Sequence, residues 1–144
     1  MNELNCRELK PGRRFMGRLP HGGDIVTCVE AFCKTNDIQA GTVSIIGAVS
    51  SATLGVYDQA QQVYVTWQVE GALEILSCTG NISLKDGVPF LHAHILLGDE
   101  KGNVTGGHLF SETVVFAGEI EITELTGASF ERGYDDTTGL MLWQ

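Results

Sequence analysis

One helical pattern followed by a long series of β-prone runs constrains the fold of this chain more than any other feature. Between residues 24 and 36, apolar side chains recur at helical spacing behind Asp24, a residue type favoured at helix N-termini. After Gly41 the pattern changes to that of strands joined by short glycine-bearing connections. The predicted strands cover residues 42–46, 52–57, 63–69, 73–83, 88–97, 104–125 and 139–143. The sequence therefore predicts an α+β fold, an antiparallel β-sheet meander with one main helix packed on it.

The length of 144 residues is typical of one domain, here residues 1–144. A hydrophobic content of 43% and a mean hydropathy of +0.06 are enough for a packed core. No run approaches the roughly 18 apolar residues of a membrane span, and no apolar segment resembles a secretory signal. The four cysteines show neither a C-x-x-C pair nor the dense spacing of a disulfide scaffold. We therefore expect a cytoplasmic protein with reduced thiols and no membrane partner.

The charge argues against DNA as a partner. Nine basic and eighteen acidic residues give a net charge of −9, which repels phosphate backbones and anionic membrane surfaces. Residues 1–20 differ from the rest, with five basic and two acidic side chains. These basic residues form no long run and show no aromatic interleaving of the kind that binds nucleic acid. We expect a solvated N-terminal strand and loop there, with binding of a small anion as the alternative.

Three of the four histidines lie within seventeen residues, as His92, His94 and His108. Because strand side chains alternate between faces, His92 and His94 point the same way. If residues 100–102 form a three-residue hairpin loop, the resulting register places His108 opposite His94, on the same face. A two-residue turn would send His108 to the other face.

Three neutral imidazoles with one position left open are the ligand set of a catalytic or exchangeable zinc site. We therefore predict that His92, His94 and His108 bind Zn(II), with other divalent metals as alternatives. The competing interpretation is that the three side chains share a strand pair without binding a metal.

The identity of a fourth ligand depends on the turn between the two preceding strands. A three-residue loop at residues 85–87 would bring Cys78 and Glu74 to the histidine face. A two-residue Asp86-Gly87 turn would reverse this parity. In that case the residues facing the site are Ser77, Thr79 and Asn81.

Two carboxylates are the candidate acid/base residues if the site is catalytic. Glu74 shares the histidine face under the three-residue loop, and Glu112 shares it if the strand that carries His108 continues regularly for four more residues. Both are also candidate ligands.

Five segments carry a family resemblance: GALEILSCTGNIS at 71–83, DGVPFLHAH at 86–94, GGHL at 106–109, SIIGAV at 44–49 and ATLG at 52–55. Together they resemble the PPC domain, also called DUF296, of plants and prokaryotes. The resemblance implies a compact α+β subunit that assembles as a homotrimer and binds zinc through His92, His94 and His108. In land plants this domain follows a DNA-binding AT-hook, and stand-alone prokaryotic members often carry a DNA-binding label. The segment GRLP at 17–20 is only a near match to the Arg-Gly-Arg-Pro element of an AT-hook. It lacks the first arginine, and its central residues are not in the AT-hook order.

The fold is also similar to that of α-acetolactate decarboxylase, whose zinc is held by histidines on the sheet. Three functional hypotheses follow. The first is a homotrimeric zinc-binding protein with a binding or assembly role and a small anionic ligand. The second is a zinc-dependent lyase or hydrolase acting on a small keto or hydroxy acid, with Arg13, Arg18 and Arg132 as candidate partners of its carboxylate. The third is a DNA-binding regulator, which the net charge disfavours.

Overall fold

The computed structural model describes residues 3–144, which form one helix and eight strands. In chain order these elements are β1 (Lys10–Leu19), α1 (Ile25–Thr35), β2 (Gly41–Asp58), β3 (Val63–Lys85), β4 (Val88–Gly98), β5 (Val104–Leu109), β6 (Val114–Thr126), β7 (Arg132–Asp135) and β8 (Leu140–Trp143). The architecture is mostly antiparallel β-sheet with a single short helix. It confirms the α+β prediction, although strands make up most of the fold.

The main sheet has the strand order β1-β6-β2-β3-β4-β5. β5 pairs with β4 and also with the end of β2, where Gly55 lies opposite His108. This second pairing curls β2, β3, β4 and β5 into a closed unit. The approach is close, because a Cβ atom at Gly107 would lie 2.7 Å from the carbonyl oxygen of Gly55.

Several predicted strand boundaries differ from the structure. The runs at 42–46 and 52–57 belong to one strand, β2, whose register shifts around Gly47 without a break in the pairing. The runs at 63–69 and 73–83 are likewise continuous in β3, through Gly71. Both glycines have positive φ angles, 134° and 115°, which let the strand bend and continue. The run at 104–125 is instead divided into β5 and β6.

The predicted helix is confirmed, and its N-cap is Asp24. The Asp24 carboxylate accepts a hydrogen bond of 2.9 Å from the backbone N–H of Thr27. The helix buries one stripe of side chains in the core, formed by Ile25, Val29 and Cys33. The Glu30 carboxylate accepts a hydrogen bond from the backbone N–H of Leu91, so the helix is tied directly to β4.

The two faces of β4 have different roles. Leu91, Ala93 and Ile95 are buried in the hydrophobic core. His92 and His94 alternate with them and therefore point away from the core. The core thus fixes the position of the strand that carries two of the three histidines.

The last two strands form a separate hairpin, β7–β8. The backbone N–H of Leu84 donates to the carbonyl of Phe130 just before this hairpin, and the Tyr57 hydroxyl donates to the carbonyl of Thr138 within its turn. These bonds hold the hairpin against β2 and β3. No helix among residues 3–144 has the length and apolar character needed to cross a membrane.

Candidate metal centre

The three histidines converge as the three-residue loop predicts. His94 lies directly opposite His108 in the β4–β5 ladder, and His92 is two residues away on the same face. The ring centroids of His92 and His108 are 4.9 Å apart, and those of His92 and His94 are 5.2 Å apart. One ligand nitrogen from each ring lies within 4.8 Å of the other two. The triad can therefore hold a metal ion.

Burial keeps two of these imidazoles in the neutral form that a metal needs. The pKa of His108 is lowered to about 4, first by burial and then by the nearby His92, His94 and Arg132. The pKa of His92 is lowered as well, again mainly by burial. At neutral pH both rings are uncharged and carry a free nitrogen lone pair.

The turn before β4 has two residues, Asp86 and Gly87, with φ angles of 52° and 75°. These positive angles are typical of a type I′ turn. The alternative with the three-residue loop is therefore wrong at this hairpin.

The register that follows decides which residues of β3 face the histidines. Thr79 lies opposite His94, and Asn81 lies opposite His92. Cys78 lies opposite Ile95 and is 1% exposed, on the core side of the sheet. Cys78 is therefore excluded as a metal ligand, because its thiol is on the wrong face.

The two candidate carboxylates lie elsewhere. Glu74 pairs with Gly98 and lines a separate cleft with Phe116. Glu112 follows the end of β5, adopts a φ of 68° and accepts a hydrogen bond of 3.2 Å from the side chain of Gln68. The prediction for Glu112 requires a regular strand from His108 onward, but β5 ends at Leu109. Neither carboxylate lines the clefts that contain the histidines.

The triad opens into two adjoining clefts. One, of about 780 Å³, contains all three histidines together with Ser77 and Thr79. The other, of about 450 Å³, contains His92, His108 and Arg132. The centre is thus reachable by a small molecule from the side of the terminal hairpin.

The three candidate arginines have different positions. Arg13 forms an ion pair with Glu124, with an Nε to Oε2 distance of 2.7 Å, and Arg18 lines a groove beside the helix. Arg132 is the candidate that shares a cleft with the histidines. Nothing in the local sequence pattern distinguishes it, because β7 reaches the site only through the tertiary fold.

Comparison with known proteins relates this geometry to relatives. The profile described as the Plants and Prokaryotes Conserved (PCC) domain matches residues 6–126. Two curated proteins from Synechococcus strains, both named bifunctional protein GlmU, are 32% identical to this chain over 126 residues. The match covers 86% of this chain and 19% of each of those proteins, so the chain spans about a fifth of their length.

Solved structures with the same fold include a metal-containing protein from Archaeoglobus fulgidus. It is 45% identical, with a TM-score of 0.94 and coverage of 98% of this chain and 99% of that one. A plant- and prokaryote-conserved (PPC) protein from Pyrococcus horikoshii is 36% identical, with a TM-score of 0.92 and coverage of 98% and 97%. A Bacteroides thetaiotaomicron protein whose name suggests DNA binding is 27% identical, with a TM-score of 0.84 and coverage of 94% and 96%.

α-Acetolactate decarboxylase from Bacillus subtilis is a more distant structural neighbour. It is 12% identical, with a TM-score of 0.58, and the match covers 89% of this chain and 59% of that one. At this identity the likeness concerns the fold alone. It confirms the fold similarity expected from the sequence.

Proposed function

This chain belongs to the Plants and Prokaryotes Conserved domain family, and from that premise we propose that it is a homotrimeric zinc-binding protein with a binding or assembly role. The observation that carries the proposal is the convergence of His92, His94 and His108 on one face of β4 and β5. The metal-containing relative from Archaeoglobus fulgidus supports it.

The donor set fits zinc. Zinc binds imidazole nitrogen at about 2.0–2.1 Å, and three protein ligands leave a position for a water or a ligand molecule. The nitrogens already lie within 4.8 Å of one another, so small side-chain rotations suffice to reach one ion. Bound zinc would supply Lewis acidity at that open position. The protein's own contribution is to keep His92 and His108 neutral and to align the three rings.

Exposed apolar side chains near the triad support assembly with further copies of the chain. Leu96 follows His94 on the same face of β4 and is 49% exposed. Val56 lines the same cleft as Leu96 and is 57% exposed. Exposed apolar side chains that share one cleft in this way are compatible with a protein interface. A second copy is the occupant that the family resemblance implies.

DNA binding is the weaker candidate, because the basic residues near the N-terminus are already engaged. Arg13 pairs with Glu124 and Arg14 with Glu121, both on the neighbouring strand β6. Arg7 donates hydrogen bonds to the backbone carbonyls of Ser129 and Gln144. Three of the five basic groups therefore have protein partners, and the net charge of the chain is −9.

The enzymatic alternative, a zinc-dependent lyase or hydrolase acting on a small keto or hydroxy acid, has one supporting observation. The triad opens into clefts of a size suited to a small substrate. However, the two carboxylates considered as acid/base groups, Glu74 and Glu112, do not line these clefts. We therefore place the binding role first.

Metal analysis of protein purified without a polyhistidine tag tests the proposal. We expect about one zinc ion per chain in the wild type. The triple variant His92→Ala, His94→Ala, His108→Ala should contain none, whereas His21→Ala, which changes the histidine outside the cluster, should keep the metal. Equal zinc content in the wild type and the triple variant would refute the site. Sedimentation analysis tests the trimer, which Leu96→Glu should weaken.

A further inference from the structure

Arg132 is a half-buried cation without an acidic partner. Among residues 3–144 the guanidinium–carboxylate pairs are Arg13 with Glu124 and Arg14 with Glu121. Arg132 is not among them, although burial lowers its pKa and a buried charge is costly without a counterion. Its position therefore needs an explanation other than an internal ion pair.

The guanidinium of Arg132 is held in a fixed orientation. Its Nε donates to the Ser83 hydroxyl at 2.8 Å, Nη1 to the Met141 carbonyl at 3.1 Å, and Nη2 to the Asn81 side-chain oxygen at 3.4 Å. It also lies 5.1 Å from the centre of the Phe90 ring and 5.8 Å from that of Trp143. A guanidinium has five N–H groups, so one remains free on each terminal nitrogen.

The cleft beside Arg132 is positive in an otherwise acidic protein. Arg132 and Lys85 line it as cations, beside the uncharged His92 and His108, and its described lining contains no Asp or Glu. This contrasts with the eighteen acidic residues of the whole chain. The local charge is therefore suited to an anion.

Most of the remaining lining is apolar or aromatic. Tyr64, Phe90, Phe110 and Leu140 contribute to the walls of this cleft of about 450 Å³. Clefts of this size with mostly apolar walls and a few fixed polar groups are typical of small-molecule sites. The walls favour an organic anion over a fully hydrated inorganic one.

We propose that this cleft binds a small carboxylate with an apolar or aromatic body, whose carboxylate is held by the two free N–H groups of Arg132. A guanidinium can present two of its N–H groups to the two oxygens of one carboxylate. A second oxygen on the same molecule, such as a 2-hydroxyl group, would then be available as a ligand for a metal held by the triad, because His92 and His108 line the same cleft. This second contact rests on the proposed zinc site, whereas the contact with Arg132 does not.

Mandelate is a suitable probe, because it combines a carboxylate, a 2-hydroxyl group and an aromatic body. Mandelamide is its uncharged counterpart, and inorganic phosphate is an anion without an apolar body. Isothermal titration calorimetry of zinc-loaded protein should give a dissociation constant for mandelate at least about 10-fold lower than for either of these, since charge-assisted hydrogen bonds carry the difference.

The variants Arg132→Gln and Arg132→Lys isolate the guanidinium. Both should weaken mandelate binding by about 10-fold or more while the zinc content stays unchanged. Arg18→Gln, which changes an arginine lining a different groove, should bind mandelate as the wild type does. Wild-type affinity in both Arg132 variants would overturn the proposal, as would equal affinity of the wild type for mandelate and mandelamide. Tighter binding of phosphate would overturn the assignment to a carboxylate.

The same titrations on metal-free protein separate the two proposals. We expect weaker binding there, still with a preference for mandelate over mandelamide that Arg132→Gln removes. If the wild type contains no zinc, the metal proposal fails and this comparison alone decides the role of Arg132. If Arg132→Gln does not fold, because it removes bonds to Ser83 and Met141, the comparison of mandelate and mandelamide on wild-type protein decides it.

Discussion

His94 and His108 face each other across the β4–β5 hairpin, with ring centroids 5.5 Å apart. The pairing is set by the connecting loop, in which the Asp99 carboxylate accepts hydrogen bonds of 2.8 Å from the backbone N–H groups of Lys101 and Asn103. Gly102 closes the loop at a φ of 80°. The convergence of the three histidines therefore depends on the length of a surface loop.

Deleting Lys101 should abolish metal binding. A two-residue turn would shift the register by one, so that His108 turns to the opposite face and Leu109 leaves the core. We expect loss of zinc together with a lower free energy of unfolding in urea. The matched substitution Lys101→Ala keeps the loop length and should change stability by no more than about 0.5 kcal/mol. Wild-type zinc content after the deletion would contradict the register.

The metal-free protein should lose stability as the pH falls from about 6.5 towards 4. The pKa of His108 is about 4 in the folded chain and 6.5 as the ordinary value, so between these limits the unfolded chain binds the extra proton. The free energy of unfolding therefore decreases as the pH falls through this window. His92 acts in the same direction, because its pKa is also lowered.

Urea unfolding at a series of pH values measures this effect. His108→Gln should give a shallower decrease than the wild type between pH 6.5 and 4, because the group responsible is gone. His21→Gln, outside the cluster, serves as the control for loss of a histidine. If the free energy of unfolding fell equally with pH in the wild type and in His108→Gln, protonation of the His108 ring would not be the cause of the pH dependence.

Gly80→Ala should destabilise the sheet next to the triad. A Cβ atom at position 80 would lie 2.2 Å from the carbonyl oxygen of His92 and 2.7 Å from Cα of Ala93, so β3 and β4 would have to separate. We expect a loss of about 1–3 kcal/mol in the free energy of unfolding and weaker zinc binding. Gly17→Ala in β1 is the matched control, since nothing lies within 4 Å of its Cβ position. Equal stability of the two variants would argue against this packing.

DNA should not bind appreciably even at low salt. The net charge of −9 repels phosphates, and Arg13 and Arg14 are paired with carboxylates of β6. A gel-shift assay with random-sequence duplex should show no retarded band at low micromolar protein, with a basic DNA-binding protein as positive control. A retarded band whose affinity falls steeply with added salt would reverse this conclusion.

Local patterns were sufficient to predict the helix and the histidine face. Asp24 marks the helix start, and the alternation around His92 and His94 places both rings on one side of the sheet. The sequence does not determine the turn at Asp86 and Gly87, because the same residues are compatible with a two-residue turn and with part of a longer loop. Only the backbone angles decide between them.

Residues whose position depends on long-range packing or on an irregular segment are harder to place from the sequence. The prediction for Glu112 extends a regular strand past Leu109, where β5 ends. The sequence does not distinguish Arg132 from Arg13 and Arg18 as the partner of a carboxylate. Its approach to the triad depends on how the terminal hairpin packs on β2 and β3. Such long-range packing leaves no periodic signal in the sequence.

The terminal hairpin also separates two properties of the site along the chain. All three histidines lie within residues 6–126, the stretch shared with the family profile, whereas Arg132 and Leu140 belong to the segment after it. A substitution in this short segment therefore changes the wall of the cleft without replacing any of the three histidines.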